Sequence, residues 1–341
     1  MRASRLLAIG AAALAVAATP AAAHAAPGQD KPGHYQFAVI GDVPYGAAQL
    51  ALFPEWIQEI NAADPAMTFH VGDIKNGSTR CDDAYYTTIK QDFDQFANPL
   101  IYTPGDNEWT DCHRTSNGTY NPLERLAYDR SVFFSAPGVT LGQKPMAVTS
   151  QADRGIPENV SVRQQNVSFA TLHVVGSNDG LLPWTELGYT SPTPEQVAEE
   201  QSRMAANLAM VRSTFDSARQ RNDRAVVLML QADMFDPTYD ATWGDDSAFK
   251  PLVQELIDQA NSFDGEVYLF NGDSHVYNSD NPLAPGSPWL SFYGVQGSTT
   301  NLQRVTVDGS SNNKDWLKVT VNRPNAEQVL SWERVPYAKQ A

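Results

Sequence analysis

The sequence predicts an α/β fold, and three observations support this prediction. Short apolar runs typical of buried strands recur from Tyr35 onward, and longer segments with helical periodicity separate them. Several of the apolar runs end in the pair Gly-Asp, which suits a turn at the end of a strand. Hydrophobic residues make up 42% of the 341 residues, which is ample for a large core.

The first half of the chain predicts strands and helices in alternation. A helix is expected at 48–64 although it contains Pro54, a residue that more naturally begins a helix than lies inside one. A second helix is expected at 82–96. The region from about 115 to 165 is rich in Gly, Pro, Asn and Ser and is expected to be mostly loop. The strands are predicted at 34–40, 67–71 and 98–103.

The second half continues the alternation and then becomes rich in predicted strands. Thr193, Pro194 and Gln196 signal a helix start, with an N-cap, a proline at the first helical position and a capping-box glutamine. A long amphipathic helix is expected after them, and another helix at 247–263. Residues 308–315 are expected to be a solvated hairpin turn. Strands are predicted at 166–176, 225–230 and 266–275 and in the tail segments WLSFYGV, LQRVTVD, WLKVTV and QVLSWERV.

Residues 1–25 have the layout of a secretory signal peptide. Arg2 and Arg5 give a positive start, an apolar run continues to Ala18, and Ala-His-Ala at 23–25 offers a cleavage signal. The apolar run is too short to span a bilayer securely, and a retained membrane anchor is the alternative interpretation. We therefore expect residues 26–341 to be a single domain without a membrane span, secreted or periplasmic.

The chain is acidic, with 39 Asp and Glu residues against 24 Lys and Arg residues and a formal net charge of −15. Loss of Arg2 and Arg5 with the signal peptide would move this charge to −17. Such a chain is a poor candidate for wrapping nucleic acid, because phosphate contacts need clustered Lys and Arg. A small phosphorylated substrate is compatible with the charge, since bound cations can invert the local field.

Cys81 and Cys112 are the two cysteines of the sequence. In an exported chain, a single pair of cysteines most simply forms one disulfide. Two free thiols, or a role in metal binding, are the alternatives.

Four separate apolar runs end in the same dipeptide, Gly-Asp. In α/β proteins, ligands gather at the carboxyl ends of the strands, where loops converge. If the four strands are neighbours that point the same way, four carboxylates meet in one crevice and need protons or cations to offset their repulsion. One Gly-Asp pair alone is typical of an ordinary turn, but four of them favour a metal site. The pairs are Gly41-Asp42, Gly72-Asp73, Gly105-Asp106 and Gly272-Asp273.

The order and spacing of these segments resemble the calcineurin-like metallophosphoesterases, a superfamily that includes the purple acid phosphatases. The family's signatures are Asp-x-His, Gly-Asp, Gly-Asn-His-Glu, a His after a buried strand, and Gly-His-x-His. The resemblance covers most of the mature chain and implies a two-sheet β-sandwich flanked by helices, in four α/β/β/α layers, with a two-metal site. The counterparts here are GDVP (41–44), GDIKNG (72–77), GDNE (105–108), LMLQADMF (228–235) and GDSH (272–275).

The resemblance implies six metal ligands, three of which match the family pattern without change. Asp42, Asp73 and His275 are the unchanged residues and are expected to surround one ion. Asp73 would bridge to a second ion held by Asp106, Gln231 and Asp273.

Most departures from the family pattern at the metal ligands replace an imidazole or remove it. Pro44 stands where the first signature has a metal-binding His, and Gln231 occupies the His position of the fourth. Asp106 replaces an Asn ligand, and Asp273 replaces the first His of the fifth signature. Oxygen-rich ligation favours manganese, magnesium or calcium over zinc or iron. These changes leave both one-ion and two-ion sites open.

The catalytic residues depart from the family pattern as well, because Asn107 takes the place of the usual catalytic His. His113 is the nearest candidate for proton donation to the leaving group, with an ordinary loop residue as the alternative. Arg114 could pair with substrate phosphate through its planar guanidinium, or form an exposed salt bridge. Tyr45 could reach the cleft but is expected to be packed, and Asn178 could line the pocket.

The sequence therefore predicts a secreted, metal-dependent phosphoesterase that hydrolyses a phosphate mono- or diester through metal-activated water. The main alternative is a protein of the same fold that binds a cation or ligand without hydrolysis, because the family histidines are replaced. A structural module unrelated to metals leaves the repeated Gly-Asp pairs unexplained. The sequence does not choose among substrates or oligomeric states.

Overall fold

The computed structural model describes residues 35–238 and 240–341. In this part of the chain, two sheets pack face to face and helices cover their outer surfaces. The predicted two-sheet α/β sandwich is therefore confirmed. The predicted signal peptide lies outside the described residues.

The described residues form twelve strands. They are β1 (Tyr35–Ile40), β2 (Thr68–His70), β3 (Leu100–Tyr102), β4 (Thr149–Gln151), β5 (Ile156–Gln164), β6 (Val167–Thr171), β7 (Ala225–Met229), β8 (Glu266–Asn271), β9 (Asn278–Asp280), β10 (Gln303–Thr306), β11 (Asp315–Val321) and β12 (Leu330–Pro336).

Eight α-helical segments lie between these strands of the described chain, in addition to six short 3-10 turns. The α-helical segments are α1 (Gly46–Ala62), α2 (Asp83–Phe93), α3 (Pro122–Phe133), α4 (Gly176–Asp179), α5 (Pro194–Arg221), α6 (Trp243–Asp246), α7 (Lys250–Asn261) and α8 (Pro288–Tyr293).

The two sheets have different topologies but similar parallel centres. One has the order β12-β11-β1-β2-β3, in which β1, β2 and β3 are parallel to one another. In the same sheet, β11 is antiparallel to β1, and β12 is antiparallel to β11. The other has the order β4-β5-β6-β7-β8-β10-β9, in which β6, β7, β8 and β10 are parallel. Parallel strands present their carboxyl ends at one edge, so each sheet supplies one set of loops to a common crevice.

The inner faces of the two sheets bury an aromatic core. The Phe37 ring of β1 lies edge-on to the Phe169 ring of β6, with centroids 5.2 Å apart. It also lies edge-on to the Phe270 ring of β8, at 6.2 Å. Such edge-to-face pairs stabilise the core beyond the area that they bury. This core holds the two sheets, and hence their loop ends, in a fixed relation.

The helix predicted at 48–64 is confirmed as α1, with Pro54 inside it. Other elements differ from the predictions. Helix α3 occupies part of the region expected to be loop, where Asn121 caps its start by accepting from the backbone of Leu123 and Glu124. The segment WLSFYGV forms α8 and not a strand, because the Ser287 cap and Gly294 in a left-handed C-cap enclose it. Strands β4 and β5 also fall within the expected loop.

Residues 308–315 do not form a hairpin. They carry the chain from β10 in one sheet to β11 in the other. On the way, the backbone N–H of Ser310 donates to the carbonyl of Asp42, at 3.0 Å. The segment therefore crosses the top of the sandwich next to the first Gly-Asp pair. No helix in the described part of the chain combines the length and apolarity needed to cross a membrane.

Candidate metal centre

The loops that follow five parallel strands bring the predicted ligands together. Asp42, Asp73 and Asp106 follow β1, β2 and β3 of one sheet. Gln231 follows β7, and Asp273 and His275 follow β8, both in the other sheet. Backbone hydrogen bonds tie neighbouring loops, such as that from Gly272 N–H to the Gln231 carbonyl at 3.0 Å. The crevice between the two sheets thus holds all six predicted residues.

Five of these residues form two overlapping groups with metal-ligand spacing. Asp42, Asp73 and His275 offer ligand atoms that all lie within 4.8 Å of one another. Asp73, Asp106 and Asp273 form a second group by the same measure. Asp73 is common to both groups, which is the arrangement expected of a carboxylate between two ions. We refer to these five residues as the acid cluster.

Gln231 reaches the acid cluster through its amide nitrogen. Its Nε2 lies 3.3 Å from Oδ2 of Asp73 and 3.4 Å from Oδ1 of Asp106. Its Oε1 accepts from the backbone N–H of Gly176, at 2.7 Å. The oxygen that would bind a cation is therefore engaged by backbone, and a ligand role requires the amide to turn.

Several residues of the acid cluster adopt a backbone conformation that most side chains avoid. The φ angles are 52° for Asp42, 58° for Asp73, 73° for Asp273 and 62° for His275. Each such left-handed residue costs on the order of 1 kcal/mol or more, and such residues collect at functional sites. The conformation turns successive side chains into the crevice directly after the strands end.

Close backbone approach also shapes the cluster. The backbone N–H of Asp273 donates to both carboxylate oxygens of Asp42, at 3.1 Å each. A methyl group built on Gly272 would lie 2.2 Å from Oδ2 of Asp42, so no larger residue fits there. Nε2 of His275 lies 3.3 Å from Oδ1 of Asp42. The glycine of the last Gly-Asp pair therefore makes room for the carboxylate of the first.

The electrostatics of the cluster suit a cation. Burial raises the pKa of Asp73 well above its ordinary value, and the Asp106 carboxylate raises it further. Burial and the carboxylates of Asp106 and Asp42 do the same for the pKa of Asp273. Burial lowers the pKa of His275, but its contact with Asp42 outweighs this and raises it overall. A divalent cation would stabilise the ionised carboxylates, so the donors present fit such an ion.

Tyr45 also reaches the cluster, contrary to the expectation that it is simply packed. Its hydroxyl donates to Oδ2 of Asp73 at 2.7 Å and accepts from Nδ2 of Asn107 at 3.0 Å. Nδ2 of Asn107 lies 2.8 Å from the same Asp73 oxygen. Burial raises the pKa of Tyr45 well above its ordinary value, and Asp73 and Asp42 add to this. The phenol therefore keeps its proton at neutral pH.

Ser177 is a further polar neighbour of the acid cluster that sequence reasoning missed. Its hydroxyl lies 2.8 Å from Oδ2 of Asp106 and 3.1 Å from Oδ1 of Asp111. The next residue, Asn178, was expected to line the pocket. Its amide instead binds the Gly244 carbonyl at 3.0 Å and the Ala248 N–H at 2.8 Å. The sequence shows that GSND follows β6, but nothing in it distinguishes the serine from its neighbours as a residue of the site.

Arg114 and His113 lie on the loop after β3 but differ in their surroundings. Nη2 of Arg114 pairs with Oδ2 of Asp111 at 2.7 Å, and its side chain is 40% exposed. A methyl group on Gly77 would lie 3.1 Å from Nη1 of Arg114 and 3.2 Å from Oδ1 of Asn107, so Arg114 borders Asn107. His113 is buried, and this burial lowers the pKa of its imidazole, which the nearby Arg114 guanidinium lowers further.

The predicted disulfide between Cys81 and Cys112 is present, with the two Cα atoms 5.9 Å apart. Both cysteines are fully buried. The bond joins the loop that follows Asp73 to the loop that follows Asp106. Two loops of the acid cluster are thus covalently linked.

Comparisons with known proteins show what the fold of the chain is similar to. No protein-family model matches the chain, and no curated protein matches it in sequence. Among solved structures, a dimetal phosphatase from Danio rerio is similar, with a TM-score of 0.53, 11% identity and coverage of 89% of this chain and 99% of that one.

Two further solved structures are similar at lower scores. A purple acid phosphatase from yellow lupin (Lupinus luteus) seeds has a TM-score of 0.45 and 13% identity, and the match covers 88% of this chain and 51% of that one. A 5′-nucleotidase precursor from Thermus thermophilus has a TM-score of 0.40 and 9% identity, with 89% and 54% covered. The assignment of the fold depends on the Danio rerio structure. The chain therefore has the fold of the calcineurin-like metallophosphoesterases, with a histidine-poor set of residues at the metal position.

Proposed function

We propose that this protein is a secreted, metal-dependent phosphoesterase that hydrolyses a phosphate mono- or diester. The observation that carries the proposal is the sharing of Asp73 by two groups of ligand atoms, each within 4.8 Å. A shared carboxylate holds two cations at the separation needed to contact one phosphate. The disulfide supports export to an oxidising compartment.

The residues of the acid cluster suggest which cations it would hold. Asp42, Asp73 and His275 would surround one ion, and Asp73, Asp106 and Asp273 the other, with Gln231 able to join after its amide turns. Four of the five cluster residues are carboxylates, which favours manganese, magnesium or calcium over zinc or iron. Bound cations would supply Lewis-acid polarisation of the phosphate and a more acidic water.

The chain's own side chains bind and orient the substrate in this proposal. Arg114 would contact a substrate phosphate oxygen, because it is partly exposed and borders Asn107 at the cluster. Asn107 would fix the orientation of Asp73 through its two hydrogen bonds to that carboxylate, at 2.8 and 3.2 Å. His113 remains a predicted proton donor, buried next to Arg114.

The test combines metal binding with turnover. The mature chain is stripped with a chelator, and manganese, magnesium or calcium is restored during assays with p-nitrophenyl phosphate and bis(p-nitrophenyl) phosphate. Asp73→Asn removes the shared charge, so it should abolish both turnover and binding of the second ion. Asp216→Asn, on the exposed face of α5 with a 63% exposed side chain, is the matched control and should change neither.

The second candidate function is cation or ligand binding without hydrolysis. Asn107 favours it, because an amide cannot donate and recover a proton as an imidazole does. Under this alternative, calorimetry detects metal binding that Asp73→Asn abolishes, while neither ester is hydrolysed with any of the three metals. An absence of both metal binding and turnover would contradict both candidates.

A further inference from the structure

Tyr45 is held rigidly at the edge of the acid cluster. It is the N-cap residue of α1, and its backbone N–H donates to Oε1 of Gln49 at 2.8 Å. Its ring lies edge-on to the His275 ring, with centroids 5.3 Å apart and an interplanar angle of 81°. The backbone and the ring of Tyr45 are thus both fixed. Only rotation about the C–O bond can direct the hydroxyl proton to a different acceptor.

The hydroxyl of Tyr45 shares its acceptor with other donors. Oδ2 of Asp73 lies 2.7 Å from the Tyr45 hydroxyl, 2.8 Å from Nδ2 of Asn107 and 3.3 Å from Nε2 of Gln231. A carboxylate oxygen has two lone pairs, so three donors already exceed its capacity. When a cation takes one of those lone pairs, at least one donor must find another acceptor. The hydroxyl reorients most easily, because its proton moves without the ring.

Tyr45 links the buried part of the cluster to its more exposed side. Asp73 is 1% exposed, whereas the side chain of His275 is 33% exposed and the next residue, Val276, is 42% exposed. The more exposed side is therefore the His275 side, and Tyr45, itself a partly exposed residue, places its ring against His275 and its hydroxyl against Asp73. An ester that enters from the His275 side would reach the Tyr45 side chain before Asp73.

We propose that Tyr45 is a catalytic residue whose hydroxyl donates a hydrogen bond to the leaving oxygen of the phosphate ester. This inference rests on the proposed function and adds to it the group that compensates for Asn107. In the hydrolysis, a water oxygen would form the new bond to phosphorus and release a proton to solvent, while the bond between phosphorus and the leaving oxygen breaks and its electron pair stays on the leaving oxygen. A fixed donor stabilises this charge where it develops, and the amide of Asn107, at 3.0 Å, holds the Tyr45 oxygen in place.

The first experiment compares leaving groups. Wild type and Tyr45→Phe are assayed with manganese on aryl phosphates whose phenols span several units of pKa. Poor leaving groups carry more charge in the transition state, so the variant should lose about 100-fold in kcat for the poorest. It should lose much less for the best. Tyr120→Phe, which removes a hydroxyl bonded to Asp82 at 2.5 Å, is the matched control and should leave the series unchanged.

The second experiment measures binding without turnover. Manganese-loaded wild type and Tyr45→Phe are titrated with orthovanadate by calorimetry, after manganese binding has been measured for each. The number of ions bound should be equal in the two proteins, while the affinity for orthovanadate should fall at least tenfold in the variant. Unchanged orthovanadate affinity with full metal loading would overturn the assignment of Tyr45.

The outcomes separate this inference from the proposed function. If wild type shows no turnover with any metal, the proposed function fails, and the orthovanadate affinities still decide whether Tyr45 contacts a phosphate-like ligand. If wild type turns over and Tyr45→Phe slows all esters equally, Tyr45 is only structural and the inference fails. The inference also fails if the leaving-group effect appears in His113→Gln and not in Tyr45→Phe.

Discussion

The backbone of Gly105 lies directly against the carboxylate of Asp73. A methyl group built on Gly105 would lie 2.1 Å from Oδ1 of Asp73 and 2.6 Å from its backbone nitrogen. Gly272 has the same relation to Asp42, at 2.2 Å from Oδ2. In both cases the glycine of one Gly-Asp pair leaves the space that the aspartate side chain of another pair occupies. The recurring dipeptide is therefore a packing requirement of the acid cluster as well as a turn.

Gly105→Ala should reduce metal affinity, because the added methyl group must displace Asp73 or the backbone around it. Overpacking of this kind also costs about 1–3 kcal/mol in the free energy of unfolding. We expect manganese affinity, measured by calorimetry, to fall by at least a factor of ten. Gly244→Ala is the control, because its methyl group would meet only Oγ1 of Thr242, at 3.7 Å. Equal affinities in the two variants would contradict this account of Gly105.

Arg304→Met should destabilise the fold strongly. The Arg304 side chain is 1% exposed and its Nη1 lies 2.5 Å from Oδ1 of Asp233, which is equally buried. Removal of the guanidinium leaves a buried carboxylate without its partner, which costs about 3–5 kcal/mol. Asp233 also accepts from the Ser274 hydroxyl at 2.8 Å, and Ser274 directly follows the predicted ligand Asp273. We therefore expect the affinity of the protein for metal to fall too. Urea denaturation measures the first effect and calorimetry the second.

Arg212→Met provides the matched control for Arg304→Met. Arg212 also pairs with a carboxylate, that of Glu255 at 2.6 Å, but its side chain is 57% exposed. Exposed pairs of this kind contribute about 1 kcal/mol or less. The double variant Arg304→Met/Asp233→Asn should regain part of the lost stability, since no buried charge remains. A loss no greater than that of Arg212→Met would show that Arg304 does not stabilise the buried carboxylate.

Asp129 should make the stability of the metal-free protein depend on pH. It is fully buried, and the Tyr102 hydroxyl lies 3.3 Å from its Oδ1. Burial raises the pKa of Asp129 well above its ordinary value, and the carboxylates of Glu108 and Glu158 raise it further. A raised carboxyl pKa contributes stability fully below the unfolded pKa, about 3.9, and that contribution is lost as pH rises through the folded pKa.

As pH rises from about 4 towards the raised pKa of Asp129, the free energy of unfolding should therefore fall more steeply in wild type than in Asp129→Asn. One group contributes up to about 1.4 kcal/mol per pH unit in this window. Urea denaturation at several pH values, with chelator present, gives both slopes. Asp216→Asn, which alters an exposed carboxylate, should keep the wild-type slope. Identical slopes in wild type and Asp129→Asn would show that Asp129 does not titrate between folded and unfolded states.

Loss of the disulfide should lower both stability and metal affinity. Cys81 and Cys112 are 31 residues apart, and closing a loop of that length constrains the unfolded chain by about 3–4 kcal/mol. The double variant Cys81→Ala/Cys112→Ala leaves no thiol and should show this loss in urea. Because the bond joins the loops of Asp73 and Asp106, manganese binding should weaken in the folded variant as well. The wild type in reductant should behave like the variant, and unchanged stability in both would contradict the prediction.

Most elements, and the convergence of the Gly-Asp pairs in one crevice, were predictable from sequence where local signals agree with tertiary packing. The alternation of strands and helices, the capping box of Thr193 and Gln196, and the Gly-Asp pairs are all such signals. The α8 segment shows the limit of this approach. Its aromatic residues favour a strand, but a serine cap, a following proline and a terminal glycine set its conformation locally.

The surroundings of the acid cluster could be predicted only in part. Tyr45 lies three residues after Asp42 and contacts Asp73, which is 28 residues further along the chain. Ser177 contacts Asp106 across 71 residues. The first contact depends on how neighbouring strands of one sheet place their loops, and the second on how the two sheets are joined. Hydrophobic periodicity carries no information about either. The predicted ligands could be identified because each follows a strand, whereas the residues that contact them follow no common pattern.

The pairing of β1 has a consequence for the order in which the molecule assembles. β1 carries Asp42, and its two neighbours are β2 and β11, with Tyr35 opposite Val321. During synthesis, β1 emerges long before β11, and contacts of such sequence separation form slowly. The edge of β1 that pairs with β11 therefore stays unpaired until the residues around Val321 have left the ribosome. We expect the first aspartate of the acid cluster to reach its final position late in folding.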